Sequence, residues 1–175
     1  MRPLPQEIQH RLHHLGIEER HLIGYQLPFQ PEQSVIVAGR DIYERPLRMS
    51  ADTYSSWLEL EAAAAQSNII IQVVSAFRSF NYQCQIIQRK REAGESIDDI
   101  LRVSAIPGFS EHHSGRALDL TTPGHLPLEE IFEESRAFAW LTQHAQSFGF
   151  AMTYPRGNRY HVAYEPWHWC WHPAT

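Results

Sequence analysis

Ser110-Glu111-His112-His113-Ser114-Gly115-Arg116-Ala117-Leu118-Asp119 and, much later in the chain, Glu165-Pro166-Trp167-His168 are the stretches on which the reading of this sequence turns. They offer two imidazoles and a carboxylate, His112, Asp119 and His168, a donor set that suits a hydrolytic zinc site with one position left open. A further carboxylate, Glu165, is free to move a proton. His112 and Asp119 are seven residues apart across a glycine, and no H-E-x-x-H occurs in the chain. The donors are therefore expected from a loop and strands, not from neighbouring turns of one helix.

Outward from these stretches, Pro107-Gly108 breaks the chain before the first, and Arg116 to Thr121 alternates as a strand carrying Ala117 and Asp119 on one face. Ser135 to Phe148 reads as a helix ended by Gly149. A hairpin is expected next: strand Phe150 to Tyr154, a turn at Pro155-Arg156-Gly157-Asn158, and strand Tyr160 to Tyr164, delivering Glu165 and His168. Upstream, a buried strand is expected over Ile69 to Val74, followed by a helix running to Arg91 or Ala93 with Gly94 as its stop. Ser96-Ile97-Asp98-Asp99 begins another short one. A longer helix, capped by Ser50, is expected from Ala51 to Gln66 with Tyr54, Trp57, Leu58, Ala62 and Ala65 on one face. Nearer the start, Ile8, Leu12 and Leu15 mark a short amphipathic helix, and Leu22 to Met49 reads as irregular chain with one or two short strands around Ser34 to Ala38.

The expected fold class is α+β, a small, mainly antiparallel sheet with helices packed around it. At 175 residues, one domain over 1–175 is the default, with a motif-bearing core of about 70–172 and an N-terminal extension, 1–69, packed on it. Fifteen Lys and Arg against twenty Asp and Glu leave a net charge of −5, which argues against nucleic acid as a partner. The short run Arg89-Lys90-Arg91 is expected to form the solvated face of a helix. Two cysteines, Cys84 and Cys170, are too few for a disulfide framework, and Cys170 is read as structural because a thiolate added to the donor set would close its open position. No apolar run approaches the ~20 residues that span a bilayer, and Met1 to His10 has no secretory pattern, so no membrane partner is expected. A cytoplasmic location follows, or a periplasmic one if the chain is trimmed. Oligomeric state has no signal.

Coordination to zinc brings the pKa of water toward ~7, and a nearby carboxylate can then take its proton. Glu165 is preferred for that task because only Pro166 and Trp167 separate it from His168. Glu111 competes with it, as His113 competes with His112; the spacing to Asp119 favours His112. Arg78, just past a buried strand, is placed to counter negative charge on a reacting carbonyl.

S-x-H-x-x-G-x-A-x-D at 110–119 together with E-P-W-H at 165–168 resembles the zinc D-alanyl-D-alanine carboxypeptidase family. That family includes the D,D-carboxypeptidases and D,D-dipeptidases of vancomycin resistance and L,D-carboxypeptidases that trim cell-wall tetrapeptides, and it shares its fold with the Hedgehog signalling domain. Ser75-Ala76-Phe77-Arg78-Ser79 is similar to the family's S-G-Y-R-S segment, with Ala76 and Phe77 replacing the usual Gly and Tyr. Tyr154-Pro155 is similar to its Y-P pair. The resemblance implies that His112, Asp119 and His168 bind Zn2+, that Glu165 is the general base, and that Arg78 stabilises the attacked carbonyl. It further implies that Ser110, Gln83 and Tyr154 hold the peptide.

The expected function is a zinc metallocarboxypeptidase that removes terminal D-alanine from peptidoglycan stem peptides or muropeptides, with L,D cleavage of tetrapeptides in muropeptide recycling preferred. D,D-carboxypeptidase or D,D-dipeptidase action is the nearest alternative, followed by peptidoglycan endopeptidase action. A non-catalytic Hedgehog-like zinc-binding domain is the alternative from outside enzymology.

Overall fold

A four-stranded antiparallel sheet in the order β3-β4-β6-β5 carries the centre of the molecule, formed by β3 (Gln72–Ser75), β4 (Ala117–Thr121), β5 (Phe150–Met152) and β6 (His168–Trp171). The computed structural model describes residues 4–173, so residues 1–3 and 174–175, the ends of the expected single domain, lie outside it. Every residue of β4 is buried, because both faces of this central strand are covered. On one face, Leu118 and Leu120 join a core with Trp57 and Leu60 of α3 (Ala51–Gln66), Leu141 of α6 (Arg136–His144), and Phe150 and Trp169. A second core gathers Leu12 of α1 (Gln6–His14), Ile87 of α4 (Phe80–Glu92) and Ile100 of α5 (Ile97–Val103) around Ile106, Phe109 and Tyr154. This is the α+β architecture that the patterning predicts.

The helix boundaries follow from local chemistry. Ser50, Ser79, Ser96 and Ser135 each accept a hydrogen bond from the third backbone N–H beyond them, satisfying donors that a helix start otherwise leaves open. The apolar stripe of α3 differs from the expected one: Thr53, Trp57, Leu60 and Ala64 are buried, whereas Leu58 is exposed. Thr53 can take a core position because its hydroxyl is bonded to that of Ser50. Residues 36–49 form a two-stranded hairpin, β1 (Ile36–Arg40) with β2 (Pro46–Met49).

One expected element is absent. Residues 160–164 are not a strand, and β5 pairs with β6, so the strand that carries His168 is itself the partner. The alternation Tyr160, Val162, Tyr164 suggested a hairpin, but Asn158 diverts the chain. Its side-chain oxygen accepts from the backbone N–H groups of Tyr160 and Val162, and its amide donates to the carbonyls of Pro155 and Val162. Those bonds close a compact loop, with His161 in the left-handed region at φ 57°. Among the described residues, no helix is long and apolar enough to cross a membrane.

Candidate metal centre

Sheet register creates the centre. Asp119 and His168 are directly opposed on β4 and β6, so both side chains leave the same face. Leu118 and Trp169, one residue along each strand, point the other way into the core. His112 arrives from a 3-10 turn, Glu111–Ser114, that ends at Gly115 in the left-handed conformation, φ 67°. A Cβ at Gly115 would meet Val35 Cγ1 at 2.7 Å and the Ser50 nitrogen at 2.9 Å, so the turn needs glycine twice over.

His112, Asp119 and His168 are buried, and each presents one donor atom within 4.8 Å of the others. His112 Nε2 lies 3.3 Å and His168 Nδ1 3.2 Å from Asp119 Oδ1. The remaining ring nitrogens are held from behind. His112 Nδ1 donates to the carbonyl of Ala76 at 2.6 Å, and His168 Nε2 donates to Glu111 Oε2 at 2.9 Å. Both rings are thereby locked with the correct nitrogen facing Asp119, as outer partners of metal-binding histidines do.

The charges also call for a cation. Burial opposes ionisation of Asp119, yet the two imidazoles hold its carboxyl well below the usual range. Burial keeps His112 neutral, pushing its pKa down. Burial works against a charge on His168 too, but the carboxylates of Asp119 and Glu111 push it up to about 10, so without metal a proton takes the cation's place. A divalent ion at the convergence of the three donors can supply that positive charge, and the N/O donor set suits zinc.

Glu165 stands apart from this trio, its Oε2 3.8 Å from His168 Nδ1. Its backbone N–H donates to the Tyr154 carbonyl and its own carbonyl accepts from the His168 N–H, making a tight turn that fixes base and histidine together. Burial pushes the Glu165 carboxyl up to about 7. Arg78 donates to Gln83 Oε1 at 3.1 Å and lies 3.5 Å from Asp119 Oδ2. Gln83 has no exposed surface; its amide donates to the Ala105 carbonyl at 2.8 Å, so it stands behind Arg78. Ser110 and Tyr154 face a cleft of about 750 Å³ together with Arg78, Glu165 and the metal-binding trio. The Tyr154 ring packs on His168 with centroids 4.6 Å apart.

The two competitors separate here. His113 is fully buried with both ring nitrogens occupied, Nδ1 donating to the Arg78 carbonyl and Nε2 accepting from the Gly108 N–H. It braces the turn. Glu111 is neither metal donor nor placed like Glu165; it orients His168, a role that adjacency to His112 could not reveal because its partner lies on the far strand. Cys170, opposite Ala117, is buried, and burial pushes its thiol up, so it stays protonated.

A family model described as VanY, D-alanyl-D-alanine carboxypeptidase, matches residues 46–174. Among curated proteins, the chain is 30% identical over 116 residues to the putative carboxypeptidase YodJ of Bacillus subtilis (strain 168), covering 61% of this chain and 40% of that one. It is 30% identical over 107 residues to the D-alanyl-D-alanine carboxypeptidase of Enterococcus faecalis (strain ATCC 700802 / V583), covering 59% and 34%. The chain thus spans well under half the length of these relatives. Among solved structures, it is similar to the LdcB LD-carboxypeptidase, with TM-score 0.73 and 23% identity over 82% of this chain and 71% of that one. A likeness to the L,D-carboxypeptidase DacB of Streptococcus pneumoniae has TM-score 0.58 and 25% identity over 71% and 66%. A variant of the vancomycin resistance D,D-pentapeptidase VanY, in complex with Zn(II), gives TM-score 0.60 and 22% identity over 85% and 80%.

Proposed function

The chain belongs to the D-alanyl-D-alanine carboxypeptidase family, and from that premise we propose that it is a zinc-dependent carboxypeptidase that releases terminal D-alanine from peptidoglycan stem peptides. The observation that carries the reading is the convergence of His112, Asp119 and His168, with Glu165 beside but outside the trio and Arg78 across from it. A non-catalytic zinc domain has no need of a buried carboxylate held near neutrality, so Glu165 favours turnover.

Zinc held by the trio would polarise the scissile carbonyl and acidify the attacking water. Glu165, beside the trio but outside it, takes the proton from that water and hands it to the departing amine. Arg78, with its fork fixed by Gln83, donates to the oxygen that gains negative charge or to the substrate's terminal carboxylate. Tyr154 walls the cleft against His168 and Ser110 lines it; both are assigned to holding the peptide.

The preferred substrate is the tetrapeptide, cut between an L-configured centre and D-alanine, in line with the likeness to the pneumococcal L,D-carboxypeptidase. Cytoplasmic recycling of muropeptides is the setting this preference fits. The second reading, D,D cleavage of a pentapeptide, is favoured by the description of the matching family. A cleft of about 750 Å³ has more room than a dipeptide requires and favours either over dipeptidase action. Mass analysis of products from defined tetrapeptide, pentapeptide and D-Ala-D-Ala decides. Loss of one alanine from the tetrapeptide is expected; action on the dipeptide alone overturns the proposal.

A further inference from the structure

Lys90 departs from the expectation that Arg89-Lys90-Arg91 is a solvated face. Arg89 and Arg91 are exposed, whereas Lys90 is half-buried and lines the same cleft as Arg78 and Glu165. Helical side chains lean toward the helix N-terminus, and α4 starts at the catalytic end, just after Arg78. The Lys90 ammonium accordingly donates to Ser104 Oγ at 3.2 Å, and the next residue, Ala105, accepts from Gln83, which holds Arg78. A chain of contacts, Arg78 to Gln83 to Ala105 to Ser104 to Lys90, therefore forms one wall. Among the described residues, no carboxylate pairs with Lys90; Arg102, which shares the cleft, is paired with Asp99. Among the described residues, Ser104 takes one of the three donors of the Lys90 ammonium and no other side chain takes a second.

We propose that Lys90 is a specificity-determining residue that binds a free carboxylate on the substrate about two residues upstream of the scissile bond. This rests on the carboxypeptidase reading above. A peptide whose attacked carbonyl faces Arg78 can run along this wall toward Ser104 and Lys90. In a stem peptide that position is a glutamate joined through its γ-carboxyl, which leaves its α-carboxylate free. Glu129, on a different segment of the cleft, carries a charge that would repel such a group, so α4 is the side that can receive it. An α-amide in place of that carboxylate removes the charge while keeping shape and length. Lys90 therefore distinguishes unamidated from amidated stem peptides.

The test uses zinc-loaded protein and two tetrapeptides that differ only in a free or amidated α-carboxyl at the second residue. Wild type is expected to cleave the amide with kcat/KM about tenfold lower, chiefly through KM, as loss of one charge-assisted hydrogen bond predicts. Lys90→Met is expected to cleave both at the same reduced kcat/KM, and Lys90→Arg to recover the preference. Equal use of both peptides by wild type, or an undiminished preference in Lys90→Met, overturns the proposal. If wild type cleaves neither, the carboxypeptidase reading fails. Calorimetric affinities of the two peptides for Glu165→Ala and for its Lys90→Met double variant then judge Lys90 alone, equal affinities in Glu165→Ala counting against it.

Discussion

Glu111 and Glu165 both lie beside His168, and burial acts on both, yet their environments send them in opposite directions. Glu111 accepts a hydrogen bond from His168 Nε2, and that partner outweighs the cost of burial and holds the carboxyl low. Glu165 has only a 3.8 Å approach to the same ring, so burial prevails and lifts it. One is a fixed anion that orients a histidine and the other a group that can exchange a proton. Their variants should separate accordingly. Glu165→Ala is expected to bind zinc normally and lose about 10²–10⁴-fold in kcat, which turnover of the tetrapeptide beside a zinc titration would show. Glu111→Ala is expected to weaken zinc binding about 10–100-fold, read by competition with a chromogenic chelator. Unaltered zinc affinity there would mean that the His168–Glu111 contact orients nothing.

At the scale of the elements, the β1–β2 hairpin shows how a single carboxylate fixes a turn. Asp41 is buried; its Oδ1 accepts from the backbone N–H groups of Tyr43 and Arg45, and its Oδ2 from the Arg45 guanidinium at 2.7 Å. Burial alone would raise this carboxyl, but those donors hold it below the ordinary range. A carboxyl depressed in the folded state adds stability that is complete above its unfolded pKa, ~3.9, and is lost as pH falls through the folded value. Thermal unfolding of the wild type should therefore steepen in its pH dependence below about pH 4, and Asp41→Asn should be less stable near neutrality while losing part of that acid dependence. Equal acid dependence in the two proteins would remove Asp41 from the account.

Elements also differ in how far the sequence disclosed them. Helices α3, α4 and α5 were legible because their caps and stops are local: a serine before each start, and Gly94 after α4. The paired strands β4 and β6 were only half legible. Arg116 to Thr121 alternates plainly, but His168–Trp171 is four residues of aromatic, histidine and cysteine that acquire strand form only by pairing with distant partners. The 160–164 segment has the better alternation and is a loop, because Asn158 offers its backbone local hydrogen bonds that compete with a ladder. Metal-donor spacing survives such errors, since the motif states which side chains meet without stating which strand brings them. The pairings that orient them, Glu111 on His168 and Gln83 on Arg78, depend on tertiary approach and leave no spacing to read.

The molecule as a whole is built so that the proposed metal joins parts that already stand. Two hydrophobic cores support it, one joining the sheet to α3 and α6 and the other built from α1, α4 and α5. His112, Asp119 and His168 meet at the cleft between the second core and the sheet, with His112 tied to Ala76 beyond β3. Metal-free protein should therefore remain folded, with a proton on His168 in the cation's place, unlike small domains whose only core is the ion. Zinc still binds the folded state alone, and at a free concentration of about a thousand times Kd that linkage is worth ~4 kcal/mol. For a chain of this size, each ~1 kcal/mol shifts the midpoint by about 2–4 °C. Calorimetric scans should show chelator lowering the Tm by about 10 °C, with zinc restoring it and the far-ultraviolet circular dichroism of the chelated protein unchanged at 25 °C on the order of the folded signal. Loss of that signal on chelation would show instead that the two cores cannot hold the sheet together without the charge on its face.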